Sequence, residues 1–148
     1  MSSALANKYD EMKQDFINLS PEGQAYIKNE SSKSGWLRVA SSTEYETYIN
    51  YNYVEASNYD ITKAWTKRIV SNDISKDGLA LGDYLMIHTS YNCKDKTYKD
   101  LSYAAYNHKN GQVIRSSTLY KNYESPIPES VGETQLESIC FYKFIKSF

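Results

Sequence analysis

The chain contains two cysteines, Cys93 and Cys140, and they constrain the fold more than any other feature. Cys93 follows a segment with the composition of a β-strand, whereas Cys140 lies within the last segment of helical periodicity. We interpret the pair as one disulfide that attaches a C-terminal helix to a β-sheet. Two distant cysteines in a small domain are typical of an oxidising compartment, and two free thiols in a cytosolic protein are the alternative.

The sequence predicts that the C-terminal helix begins after Ser130. Pro126 and Pro128 interrupt the preceding segment, and Ser130 and Glu133 have the spacing of a capping box. Apolar residues then recur at helical spacing on one face: Leu136, Ile139, Cys140 and Phe144. Cys140 is therefore expected on the buried face, where a bridge to a strand is feasible. In the chain-entropy model, closing a loop of this length stabilises the fold by about 4 kcal/mol.

The N-terminal third is helical by the same criterion. Apolar residues recur every three to four positions over residues 5–19: Leu5, Tyr9, Met12, Phe16 and Leu19. Ser20 and Pro21 are typical of a helix start, so we predict a second helix over residues 21–29. The polar segment 31–35 is a predicted linker. We therefore divide the chain into a helical extension with its linker, residues 1–35, and a sheet-plus-helix domain, residues 36–148.

A series of strands is predicted between the linker and the last helix. Alternating apolar and polar residues, with turns between them, indicate strands at 36–41, 44–50, 61–70, 83–92, 97–107 and 112–119. Residues 51–58 are interpreted as a loop or a helical turn, and residues 71–82 as a long loop. The fold class is α+β: about six antiparallel strands in meander order, a disulfide-tethered C-terminal helix and an N-terminal helical extension.

The composition excludes some classes of protein and leaves others open. A formal net charge of −1, with mixed charges along the chain, argues against a nucleic-acid binder. No apolar run is long enough for a transmembrane segment. The 15 Tyr outnumber the 4 Phe and 2 Trp, which favours either a thin sheet with much surface or an aromatic recognition surface. The triplet Ala4-Leu5-Ala6 either marks the end of a signal peptide or resembles one by chance.

Five residues are candidates for a binding surface. Lys63, Trp65 and Lys67 alternate along one predicted strand and share a face. Such a stripe can bind anions or aromatic ligands. The same pattern also fits a tryptophan that anchors the core, as we predict for Trp36. The side chains of Lys63 and Lys67 would then extend outward. Tyr98 and Tyr106 belong to the Tyr-rich strand 97–107 and complete the set.

We find no motif that supports catalysis, a metal or a cofactor. The chain lacks the CxxC, HExxH, GxGxxG and GxxxxGK[ST] patterns. A nucleophilic cysteine needs a histidine within reach. His88 and Cys93 are five residues apart on one predicted strand, so their side chains point to opposite faces. His108, next to the Asn110-Gly111 turn, is predicted at the surface.

From Trp36 to the end, the chain resembles the surface-adhesin E family of bacterial proteins. The resemblance rests on these residues: Trp36, Tyr48-Ile49-Asn50, Trp65, Asn92-Cys93, Tyr106 before Asn110-Gly111, and Ile127 to Glu133 running on to Ile139-Cys140. It implies an exported protein with a Cys93–Cys140 bridge, and it implies that a homodimer can form. The family includes an outer-membrane lipoprotein that binds host extracellular-matrix and complement-regulating proteins.

The sequence therefore predicts an exported, non-enzymatic domain in the periplasm, at the cell surface or secreted. It would bind a protein partner through its sheet and Tyr-rich edges, by packing and backbone hydrogen bonds. The alternative is an immunity- or inhibitor-type protein that neutralises a partner enzyme, with the N-terminal helices in the contact surface. Neither hypothesis needs a cofactor.

Overall fold

A computed structural model describes residues 3–57, 59–72 and 78–148, with the side chains of residues 3–7 excepted. The described elements are α1 (Ser3–Ile17), α2 (Pro21–Lys33), β1 (Leu37–Ser41), β2 (Tyr45–Val54), β3 (Ile61–Val70), β4 (Tyr84–Asn92), β5 (Thr97–Tyr106), β6 (Val113–Thr118) and α3 (Val131–Lys146). The strands form one six-stranded sheet in the order β1-β2-β3-β4-β5-β6, and every neighbouring pair is antiparallel. The predicted α+β meander is confirmed.

Two boundaries differ from the prediction. Residues 51–54, interpreted as a loop or a helical turn, extend β2 instead. The ladder between β2 and β3 is irregular between Ile49 and Val54, so the strand continues past a bulge that sequence alternation does not show. Helix α2 runs to Lys33, so most of the predicted linker is helical.

Some sequence predictions lie outside the described residues. They concern residue 58, the middle of the 71–82 loop at residues 73–77, and the side chains of Ala4, Leu5 and Ala6. None of the described helices is both long enough and apolar enough to cross a membrane.

The cap of α3 is close to the predicted one. Ser130 Oγ accepts from the backbone N–H of Glu133 at 3.2 Å. The Glu133 carboxylate reaches back to the backbone N–H of Glu129 at 3.2 Å, one residue before the position expected in a capping box. The helix start therefore satisfies two backbone donors with its own side chains.

Helix α3 covers one face of the sheet. Leu136, Ile139 and Cys140 are buried against it, as predicted. Residues from the middle strands complete this core: Ile49, Val54, Ala64 and Tyr91. The helix is also joined to the sheet by polar contacts, since Gln135 donates to the Tyr91 hydroxyl and Lys146 Nζ donates to the carbonyl of Val54 at 2.7 Å.

The disulfide between Cys93 and Cys140 is present. It joins the residue after β4 to the buried face of α3, with the Cα atoms 5.7 Å apart, a typical spacing for a disulfide. Both cysteines belong to the main apolar core. The bridge therefore fastens α3 to the sheet at a place where the two already pack together.

Helix α1 forms a layer outside α3. Phe16 contacts three aromatic rings edge-on, those of Phe141, Phe144 and Phe148. The Tyr9 hydroxyl donates to the carbonyl of Cys140 at 3.3 Å, directly above the disulfide. Phe144, predicted to face the sheet, therefore packs against α1 instead.

At the other end of the sheet, Asp83 joins the loop before β4 to the turn after β5 by hydrogen bonds. Its carboxylate accepts from the backbone N–H of Ala80 at 2.8 Å and from that of His108 at 3.0 Å. The His108 ring nitrogen Nδ1 lies 2.7 Å from the same carboxylate. These bonds to Ala80 and His108 lower the pKa of Asp83 from 3.8 to about 2. His108 is at the surface as predicted, and it also anchors the turn after β5.

Reducing the disulfide should lower the melting temperature by about 10 °C, because the unfolded chain regains the entropy of an open loop. Thermal unfolding with and without reductant measures this change. The double variant C93S/C140S is the control, and reductant should leave its melting temperature unchanged. An equal melting temperature for oxidised and reduced wild type would contradict the prediction.

Replacing Phe16 by alanine should cost about 3 kcal/mol, because it removes a buried ring between α1 and α3. Phe16 is 2% exposed, whereas its neighbour Ile17 is 44% exposed and serves as a matched control. Urea unfolding of both variants measures the difference. If Phe16→Ala and Ile17→Ala cost the same, α1 does not pack as described.

Asp83→Asn should destabilise the protein by about 2 kcal/mol near pH 6, because it weakens hydrogen bonds to a buried carboxylate. The pKa of Asp83 is lower in the folded state, so its contribution exists above pH 3.8 and is lost as the pH falls towards about 2. Urea unfolding should show the gap between wild type and variant closing over that range. A gap that stays constant down to pH 2 would rule out this role.

Candidate binding surface

All three helices lie on one side of the sheet, which leaves the other face without a helical cover. Helix α3 contacts β1 to β4, α1 contacts α3, and α2 contacts β2. Side chains alternate along each strand, so Thr62, Ala64 and Thr66 of β3 are buried under α3. Residues 63, 65 and 67 then point to the opposite side, which we call the open face.

A row of aromatic rings and one lysine crosses the strands of the open face. Trp36 stacks on Tyr53 with ring centroids 5.0 Å apart. Lys67 Nζ lies 5.6 Å from the centre of the Trp36 ring and 4.6 Å from that of Tyr84. Tyr84 in turn stacks on Tyr106 at 5.0 Å. We call these five residues the aromatic–lysine row.

The register of the sheet produces this row. Tyr84 of β4 pairs with Tyr106 of β5, so the two rings share a face and lie side by side. On its other side Tyr84 pairs with Ile69, two residues from Lys67. The lysine can therefore place its ammonium over the tyrosine ring, an arrangement that contributes about 0.5–1 kcal/mol at an exposed site.

A second stacked pair lies next to the row. Trp65 and His88 are directly opposite each other on β3 and β4, and their ring centroids are 4.5 Å apart. Burial against the tryptophan lowers the pKa of His88, and the nearby charge of Lys63 lowers it further. The His88 ring thus extends the flat aromatic surface next to Trp65.

The segment after β6 covers the far end of the open face. The Tyr123 hydroxyl lies 2.7 Å from Ser90 Oγ, and Lys99 Nζ lies 4.7 Å from the centre of the Tyr123 ring. Ser90 pairs with Lys63 across the strands, so Tyr123 ends the uncovered area beside that lysine. The accessible part of the face extends from Lys63 to the aromatic–lysine row.

The structure brings four of the five predicted surface residues together on this face: Lys63, Trp65, Lys67 and Tyr106. Tyr98 lies on the opposite face. It pairs with the buried Tyr91, packs against the core and approaches Gly132 at the start of α3. Tyr98 therefore belongs to the contact between sheet and helix.

Two predictions about tryptophan and tyrosine are corrected. Trp36 was expected to be a core anchor, but it is half-buried on the open face. For Trp65 a binding stripe and a core position were both open, and it is half-buried on the same face. Tyr-rich edges were also expected, yet the edge strands β1 and β6 contain no tyrosine. Alternation predicts which residues share a face, but it does not predict which face the helices will cover.

Sequence reasoning missed Tyr53 and Tyr84 as members of the surface. Tyr53 lies in the segment beyond the bulge in β2, which sequence reasoning did not assign to a strand. Tyr84 lies in the predicted strand 83–92, but it was not among the candidate surface residues. A regular hairpin with Asn92 opposite Thr97 would place Tyr84 opposite Ala105, and the register shift next to His88 brings Tyr106 into that position instead.

The geometry of the open face suits binding through packing and charge. Cys93 is tied up in the disulfide on the helical side, so it is no partner for His88. Among the described residues, no group of three or more His, Cys, Asp or Glu side chains could hold a metal ion. What the face offers a ligand is flat aromatic area with ammonium groups beside it.

Comparison with known proteins gives one clear relationship. The family described as surface-adhesin protein E matches residues 36–141, which is most of the chain and includes the whole sheet, both cysteines and most of α3. No curated protein and no solved structure matches the chain. The matched range contains every residue of the aromatic–lysine row, and the chain belongs to the surface-adhesin protein E family.

Proposed function

We propose that this protein is an exported, non-enzymatic binding domain that recognises a protein partner through the open face of its sheet. Its family is one of surface adhesins, which supports export and a binding role. The observation that carries the proposal is the aromatic–lysine row, together with the Trp65–His88 stack beside it.

The side chains of the open face are those that supply most binding energy in protein interfaces. Tryptophan, tyrosine and methionine are enriched at interfaces, and the two aromatic side chains bury a large area for a small loss of conformational freedom. Trp65, Tyr84 and Tyr106 share the face with Met86, which pairs with Lys67 across β3 and β4. The rings are already stacked on one another, so little ordering is needed when a partner binds.

Charge favours a partner with acidic groups near apolar ones. Lys63 and Lys67 flank Trp65 on the same face, and Lys63 is exposed. A partner carboxylate beside an aromatic or aliphatic side chain would satisfy both features. A second copy of the chain is the other partner that the family resemblance suggests, and the oligomeric state distinguishes the two.

The row should be tested with the double variant K67E/Y106A in the oxidised protein. Biolayer interferometry against purified extracellular-matrix proteins and complement regulators would first identify a ligand of the wild type. The variant should then bind at least 10-fold more weakly, as expected when an interface anchor worth about 2 kcal/mol is lost.

The matched control is Y26A/Y120A, which removes two tyrosines from elsewhere on the surface. Tyr26 on α2 is 61% exposed, and Tyr120 after β6 is 94% exposed. Thermal unfolding should show that both double variants remain folded. Equal loss of binding in the control, or full binding by K67E/Y106A, would remove the open face from the proposal.

The same experiment addresses the inhibitor hypothesis. If the ligand proves to be an enzyme and Y26A alone weakens its binding while K67E/Y106A does not, the contact surface includes the N-terminal helices. Light scattering of the wild type and K67E/Y106A shows whether the row joins two copies of the chain.

A further inference from the structure

A pocket of about 320 Å³ lies on the helical side of the sheet, far from the open face. It is formed where α1 and α3 meet the turn between β4 and β5, beside the disulfide at Cys93. Its volume is at the lower end of the range of about 300–1,000 Å³ that is usual for small-molecule sites. Four lysines line it: Lys13, Lys94, Lys96 and Lys143. Tyr9 and the carboxylate of Asp60 also line it.

Two of the ammonium groups converge on one ring. Lys13 Nζ lies 4.6 Å from the centre of the Tyr9 ring, and Lys96 Nζ lies 4.5 Å from it. Lys96 also donates to the carbonyl of Cys93 at 3.3 Å. Burial lowers the pKa of Lys96, the charge of Lys13 lowers it further, and Asp10 acts in the opposite direction. The cost of placing the Lys96 ammonium here therefore comes mainly from its burial.

Carboxylates compensate for this charge only in part. Asp10 lies 3.9 Å from Lys13, which is a weak ion pair at an exposed carboxylate. Within the described part of the chain, Lys94, Lys96 and Lys143 form no ion pair with an acidic side chain. Asp60 is exposed at the rim of the pocket. The pocket is therefore a cleft, open on one side, whose lining carries an excess of positive charge.

We propose that this pocket binds a phosphate or sulfate group. Lysine ammonium groups bind tetrahedral oxyanions as point charges from several directions, and four of them surround the space. The Tyr9 hydroxyl is already engaged with the carbonyl of Cys140, so the ring serves as a platform for the two ammonium groups. The anion would sit between α1, α3 and the β4–β5 turn and would link all three.

This site does not depend on the proposed function of the open face. Tyr9 and Lys13 come from α1, which lies outside residues 36–141 of the family match. Lys94 and Lys96 come from within that range. The pocket therefore exists only because the N-terminal helix packs on the adhesin-type domain, and a bound anion would stabilise that packing.

Calorimetric titration of the oxidised full chain tests the proposal. Sodium phosphate and sodium sulfate should each bind with a saturable curve and raise the melting temperature, since they bind the folded state. Sodium chloride at the same ionic strength should do neither. Comparing glucose 6-phosphate with glucose 6-sulfate shows whether the pocket prefers a phosphate ester or a sulfate ester, because the preferred ester should bind several-fold more tightly.

The double variant K13Q/K96Q should weaken phosphate and sulfate binding at least 10-fold. K109Q/K121Q is the matched control, because it removes the same charge at exposed lysines that do not line the pocket, and it should bind like wild type. If K13Q/K96Q does not fold, K94Q at the exposed turn should still reduce affinity several-fold. Binding no stronger than that of chloride, or equal losses in both double variants, would overturn the proposal.

Discussion

The packing of α3 on the sheet is the interaction on which the other layers depend. Helix α3 is the element that contacts β1 to β4, and it supplies Leu136 and Ile139 to the core of the sheet. The bridge between Cys93 and Cys140 fastens the same contact covalently. Helix α1 then packs on the outside of α3 through Phe16, so its position is set by α3 and not by the sheet.

This order of layers explains the character of the two faces. Because the helices accumulate on one side, apolar residues on that side are buried, and those on the other side must be compatible with water. Tyrosine, tryptophan and lysine meet that demand, since each combines a broad apolar part with a polar group. The stacking of Trp36 on Tyr53 and of Tyr84 on Tyr106 lets the rings bury one another in part.

The strand order and the helices could be predicted because they depend on short-range patterns. The disulfide could be predicted because the chain has two cysteines. Alternation in residues 61–70 and the cap at Ser130 are local signals, and two cysteines allow one pairing. The membership of the open face could not be predicted in full. It depends on which side α3 covers and on the bulge in β2, and both are set by contacts between distant segments. Tyr98 was grouped with Tyr106 because simple alternation along one strand puts both on the same face, but the register shift between β4 and β5 next to His88 puts them on opposite faces.

The one-sided arrangement of helices has a consequence for how such a domain can change. Replacing Tyr53 or Lys67 alters what the protein presents to its surroundings without opening a void beneath α3. Replacing Ile139 would do the reverse. Residues of the open face can therefore be substituted without loss of the core, and the disulfide offsets the small losses of stability that accompany such substitutions.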